Sequence, residues 1–198
     1  MLSMSAILYA IISYIGWGVG DVIGMINGRK VGAIRATYWN YLLRLIFFVC
    51  AAPFFISQII DAPTNMIVLG LALGVLATIG NVAFYKAAQL SNPSVVSAIA
   101  GSWGAISVVV SILVLHENIS WIHIVAISVI TLGVILATLD TSTIKKRGII
   151  QQGIWWAMAA SIARGIVGAF IKFPSQSIGW FWTTLFLAVP FTIFASLY

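Results

Sequence analysis

Four charged side chains stand inside otherwise apolar runs: Asp21, Arg44, Lys86 and Arg164. A charge at the centre of a lipid-embedded helix costs about 2.5–3.5 kcal/mol on insertion scales, so a residue that carries it is a candidate for solute binding or for an ion pair. Two readings follow. Asp21, Arg44 and Lys86 lie toward one end of their runs and can form one buried ion cluster that fixes helix packing. Asp21 and Arg164 fall on equivalent positions when the sequence is shifted by 143 residues. The helices that carry them cross in opposite directions, so with equal span ends the two charges differ in depth by about 10 Å in a hydrocarbon core of about 30 Å. That gap is too wide for a direct salt bridge. It suits a bound zwitterion with one charge for each end.

Uncharged groups extend the candidate set. Trp17, Asn81, Tyr85, Trp103, Trp155 and Trp156 lie within apolar runs, away from the obvious interfaces. Aromatic walls with a few hydrogen-bonding groups are what an organic-solute site needs, although a single such residue is more often packing. Asn81 and Tyr85 share one helical face at i, i+4, and Ser97 and Gly101 do the same on the next helix. The stretch "AFYKAAQLSNPSVVSAI" (83–99) then reads as a hairpin that turns polar groups into a central cavity, with Lys86 at its mouth. The substrate-binding candidates are Trp17, Asp21, Asn81, Tyr85, Ser97, Trp103 and Arg164. No catalytic residue, metal ligand or cofactor is expected.

The elements that must position these groups are set by the solvent. Of 198 residues, 62% are hydrophobic and 7% charged. A soluble domain is usually about 25% charged, and fourteen charged side chains would leave apolar patches of a size that soluble monomers rarely show. The chain is therefore an all-α integral membrane protein, with the lipid bilayer as its surroundings. A spanning helix needs about 20 mostly apolar residues. Runs at 5–26, 36–57, 65–88, 94–115, 119–139, 149–172 and 177–198 give seven candidates. Turn chemistry separates them: "NGRKVG", "DAPTN", "LSNPS", "HENIS" and "DTSTIKKRG". Backbone groups in lipid must be satisfied within their own segment, which makes each run a helix. Ser91 or Asn92 can cap the fourth helix, with Pro93 in its first turn. The first run has no preceding Lys or Arg and no clear cleavage site, so it reads as a retained span.

Small residues repeat every four positions. Gly16, Gly20, Gly24 and Gly28 form such a ladder, as do Gly70 and Gly74, and such faces let helices approach closely. Arg29, Lys30, Arg35, Lys145, Lys146 and Arg147 fall on one side of the membrane, against Asp61, Glu117 and Lys172 on the other. The positive-inside rule puts the basic side in the cytoplasm and the N-terminus outside. The single Cys50 excludes an intrachain disulfide, and His116 and His123 have no ligand cluster around them. No phosphate-binding loop "GxxxxGK[ST]" occurs. The basic residues form no dense run of the kind that binds nucleic acid.

Residues 80–139, "GNVAFYKAAQLSNPSVVSAIAGSWGAISVVVSILVLHENISWIHIVAISVITLGVILATL", resemble the EamA-type domain of the drug/metabolite transporter superfamily. Pro93, Val95, Ser97, Leu115, Glu117 and Gly133 sit in the matching places, and "YIGWGVGDVIG" (14–24) resembles the family's opening Trp-Gly segment. Arg44 matches a place where the family often has an arginine. Gly104 stands where the family often has a proline in the middle of the fourth helix. The resemblance implies a first five-helix EamA-type repeat over 1–143. The start of a second, inverted repeat follows over 144–198, with about ten helices in the full architecture and about three spans missing here. Sliding residues 5–55 over 148–198 gives few identities, so the repeat rests on helix count and family pattern. The family is described with both termini cytoplasmic, opposite to the charge count above.

The resemblance further implies a secondary transporter of the plasma membrane, moving a metabolite, amino acid, sugar or drug by alternating access. Asp21 and Glu117 are the acids near the bilayer for proton coupling. The alternative is a non-catalytic accessory subunit or a lipid-carrier flippase component. Short relatives pair up, which makes a homodimer a further expectation. An enzyme acting on lipids would need clustered His, Asp or Glu at one interface, and the acids here are scattered.

Overall fold

The computed structural model describes residues 4–118, 120–138 and 149–196. The basic stretch 145–147 and Asp140 lie outside the described residues. Eight α-helices follow in order: α1 (Met4–Val31), α2 (Ala33–Ala51), α3 (Thr64–Leu90), α4 (Pro93–Gly101), α5 (Trp103–Leu113), α6 (Trp121–Thr138), α7 (Ile149–Phe170) and α8 (Lys172–Ser196). A 3-10 helix over Ala52–Gln58 continues α2. No strand occurs among the described residues.

Among the described residues four stretches are long and apolar enough to cross a membrane: Ala33–Gln58, Thr64–Leu90, Pro93–Leu113 and Gln152–Phe170. Their outward faces carry large apolar side chains, with Leu43, Phe47, Leu113 and Trp155 each more than 60% exposed. Water does not favour such a surface, whereas lipid does. The chain is an all-α, multi-pass membrane protein.

The helices form where the turn chemistry lets them. Asn92 caps α4, its side chain accepting from the Ser94 amide at 3.1 Å, with Pro93 in the first turn. Gly32, at φ 97°, makes the corner between α1 and α2. Gly179, at φ 78°, breaks α8 beside Gln58. The fourth expected run is interrupted at Ser102 and not at Gly104. The Ser102 hydroxyl donates to the Ile99 carbonyl at 2.7 Å and meets Ser161 of α7 at 3.0 Å, so side-chain competition for the backbone opens the helix there.

α3 is the central column, packed chiefly against α7 and α8 and touching α1, α2 and α4 as well. Small residues allow the approach. A Cβ at Gly80 would sit 3.2 Å from that of Ala163, and one at Gly74 would sit 2.9 Å from the Phe186 carbonyl oxygen. The core is mostly alanine: Ala83, Ala87 and Ala88 of α3, with Ala157 and Ala160 of α7 around Phe84 and Val96. Gly80 lies beside Ala163 and Ser91 beside Gly153, so α3 and α7 are antiparallel. Gly24 and Gly28 both lie against Tyr85, and α1 ends beside the end of α3.

That shared end is clamped. Arg29 donates from Nε to the Ala88 carbonyl and from Nη2 to the Ser91 carbonyl, both at 2.6 Å. Gln89 returns a bond to the Gly28 carbonyl at 2.7 Å. The last carbonyls of a helix lack intrahelical partners and carry partial negative charge, so a guanidinium is well placed there. At the opposite end Lys172 pairs with Glu117, joining the start of α8 to the segment after α5. Trp182 donates to the Phe55 carbonyl at 2.9 Å, and the Phe55 ring stacks on Phe181 at 4.2 Å, which fastens the 3-10 helix to α8.

Candidate functional site

The described residues line an open cavity of about 250 Å³ among α1, α2 and α3, with Gly16, Trp17, Gly20 and Asn40 exposed at its edge. Its lining comes as four pairs, each spaced i, i+4: Gly16 and Gly20, Trp17 and Asp21, Asn40 and Arg44, Asn81 and Tyr85. Residues four apart share one face of a helix. Each helix therefore turns a short stripe toward the cavity, polar or small except for the Trp17 ring.

The glycine ladder of α1 divides into two halves. Gly24 and Gly28 are closed by the Tyr85 side chain, whereas nothing lies within 4 Å of where a Cβ would project from Gly16 or Gly20. The same spacing that seats α1 on α3 at one end leaves the cavity open at the other.

A polar line crosses behind the cavity, with one residue from each of four helices. Arg164 of α7 pairs through Nη1 with the Asp21 carboxylate at 3.6 Å. Its Nη2 donates to the Asn81 carbonyl oxygen at 2.8 Å. Asn81 in turn donates from Nδ2 to the Tyr41 hydroxyl at 2.6 Å. The guanidinium also lies over the Phe84 ring, 4.3 Å from its centroid. Tyr41 is buried at 1% exposure, its ring edge-on to Phe191 of α8. Arg44 rests against the other side of the line, 5.4 Å from the Tyr41 ring centroid.

The direct pair between Asp21 and Arg164 corrects the expectation that depth would keep them apart. Spans do not end at equal levels: Gly153, not the first residue of α7, lies beside Ser91. Counted from that clamp, the two charges differ by about three residues, or about 4.5 Å at 1.5 Å per residue. Side chains tilt toward their own helix N-terminus. In these antiparallel helices that tilt brings Asp21 and Arg164 toward each other. The expected cluster of Asp21, Arg44 and Lys86 is also revised. Asp21 and Arg44 share the cavity, but Lys86 is exposed and lies outside its lining.

Of the sequence candidates, Trp17, Asp21, Asn81 and Tyr85 line the cavity, and Arg164 stands behind it. Ser97 is exposed, its hydroxyl 3.6 Å from the Met25 sulfur, and lies outside the lining. Trp103 packs on α7 at Gly168, and Trp155 and Trp156 face outward. Asn40 and Tyr41 were not singled out by sequence, and Arg44 was read as part of a buried ion cluster and not as cavity lining. The i, i+4 pair Asn40 and Arg44 in an apolar helix was the available signal. No group of three metal-ligating side chains occurs among the described residues.

An apolar helical bundle with a polar-lined cavity between three of its helices defines a multi-pass membrane protein. The model of the EamA-like transporter family matches residues 4–139, more than two thirds of the chain. The chain belongs to the EamA-like transporter family, whose members are membrane transporters. No curated protein and no solved structure matches it.

Proposed function

We propose that the chain is a secondary transporter that moves small organic solutes across the plasma membrane by alternating access, with the cavity among α1, α2 and α3 as its binding site. Residues 1–143 form the first repeat and 144–198 begin the second, inverted one, with all seven expected runs crossing the bilayer. The observation that carries this reading is the cavity itself, together with the ion pair behind it. Asp21 and Arg164 are related by the shift of 143 residues, they lie on antiparallel helices, and they meet at 3.6 Å. Equivalent residues of an inverted repeat meet only near the axis that relates the halves, and substrate sites of such folds lie at that interface. No observation favours the accessory-subunit or flippase reading.

The test is solute uptake by the purified protein in liposomes, with a panel of labelled amino acids, sugars, nucleosides and organic acids. Asp21→Asn and Arg164→Gln should each reduce uptake to the level of empty vesicles while the protein still elutes as a folded species. Normal transport by both variants would remove the assignment of the cavity.

A further inference from the structure

Granting the cavity its role as the solute site, its charges select among solutes. The Asp21 carboxylate is matched by Arg164, whose Nη2 also donates to Asn81. These two residues act as one neutral unit within the fold. Arg44 differs. Its guanidinium lines the same cavity and lies over the face of the Tyr41 ring. Among the described residues no carboxylate pairs with it. A guanidinium does not deprotonate in proteins and presents a planar fork of donors that fits a carboxylate at two points.

The cavity therefore holds one unmatched positive charge in a medium where an unmatched charge is costly. We infer that the solute is a small organic monoanion, a carboxylate held by Arg44, with its apolar body against Trp17 and the bare backbone at Gly16 and Gly20. A carboxylate brings the local charge to zero. A zwitterion leaves it at plus one, a cation raises it, and a phosphate ester or dicarboxylate asks for a second free cation that the lining does not offer. The two glycines add shape to this charge rule. With no side chain at either position, the solute body has room along α1, and the aromatic ring of Trp17 one residue on supplies a flat apolar surface.

The experiment separates charge from size. Phenylacetate, phenylacetamide, phenylalanine, phenethylamine and phenyl phosphate share one aromatic body and differ in charge. Binding to the full chain in detergent is measured by calorimetry, and flux is measured separately in liposomes. The inference expects phenylacetate to bind most tightly, with the amide weaker by about tenfold or more, as expected for loss of a charge-assisted pair. Arg44→Gln should remove that preference and Arg44→Lys should retain part of it. Arg35→Gln, which deletes an exposed positive charge from the first turn of the same helix and lies outside the cavity lining, should change nothing. Absent binding of phenylacetate, or tighter binding of phenylalanine, phenethylamine or phenyl phosphate, overturns the inference. If one of those other solutes is carried, the transporter reading stands without this one. Phenylacetate bound without flux upholds the site and refutes transport.

Discussion

Gly20 and Gly24 stand one turn apart on α1, yet replacement by alanine should have opposite consequences. A Cβ at Gly24 would sit 2.5 Å from the Tyr85 hydroxyl oxygen and 2.7 Å from Cε1 of the same ring. Tyr85 is 5% exposed, so its ring has to shift toward the cavity it lines to make room. Adding a methyl group to such a contact costs about 1–3 kcal/mol through displaced side chains and backbone. At Gly20 no atom lies within 4 Å of the new carbon. Both substitutions gain the same helix propensity, about 1 kcal/mol, so this term cancels between them and the difference reads the clash alone. A difference of about 2 kcal/mol separates melting temperatures by about 4–8 °C in a chain of this size. The assay is thermal unfolding of Gly20→Ala and Gly24→Ala in the same detergent, followed by intrinsic fluorescence. With the propensity gain offset against the clash, Gly24→Ala should melt about 2–4 °C below wild type and Gly20→Ala at or above it. Equal melting temperatures would refute the close seat of α1 on Tyr85. Tyr85→Ala should then recover part of the loss when combined with Gly24→Ala, since residues in contact couple by about 0.5–3 kcal/mol.

Two further outcomes follow from the hydrogen bonds. Asn81→Leu leaves the Tyr41 hydroxyl and the Arg164 guanidinium each short of a partner, which should cost about 2–4 kcal/mol. Asn81→Asp keeps an acceptor for Arg164 and lets Tyr41 donate, so it should stay within about 1 kcal/mol of wild type. Unfolding curves that rank the two variants equally would contradict the network. Arg29→Gln removes both bonds to the end of α3. Since Arg29 is largely exposed, the loss should be about 1–2 kcal/mol. It should appear as faster proteolysis at the turn around Ser91, and unchanged cleavage there would show that the clamp contributes nothing.

The sequence revealed the solvent and the punctuation more readily than the neighbours. So few charges in so apolar a chain forced a membrane interior, and Asn92–Pro93 marked a helix start that the Ser94 amide bond confirms. The α1 ladder was legible as a packing face, but its division at Tyr85 was not. A lipid-facing side chain and a core side chain are both apolar here, so hydrophobic periodicity, which orients a helix in a soluble protein, carries little direction. The structure shows Phe47 outside and Phe84 inside, and composition alone does not tell them apart. For the same reason Arg44 could be seen as buried charge but not as cavity lining. The depth of Arg164 was misjudged because hydropathy sets span ends only within a turn, and a turn of helix is about 5.4 Å.

The line from Arg164 through Asn81 to Tyr41 has a direction. Every hydrogen points the same way along it, away from the guanidinium. A guanidinium never surrenders its proton and a carboxamide does not ferry one. The line is thus a row of fixed dipoles that stiffens the wall, unable to serve as a conduit. Should movement of the cargo be tied to a proton, the acid that the cavity itself offers is the Asp21 carboxylate, reached from the cavity and not through the wall.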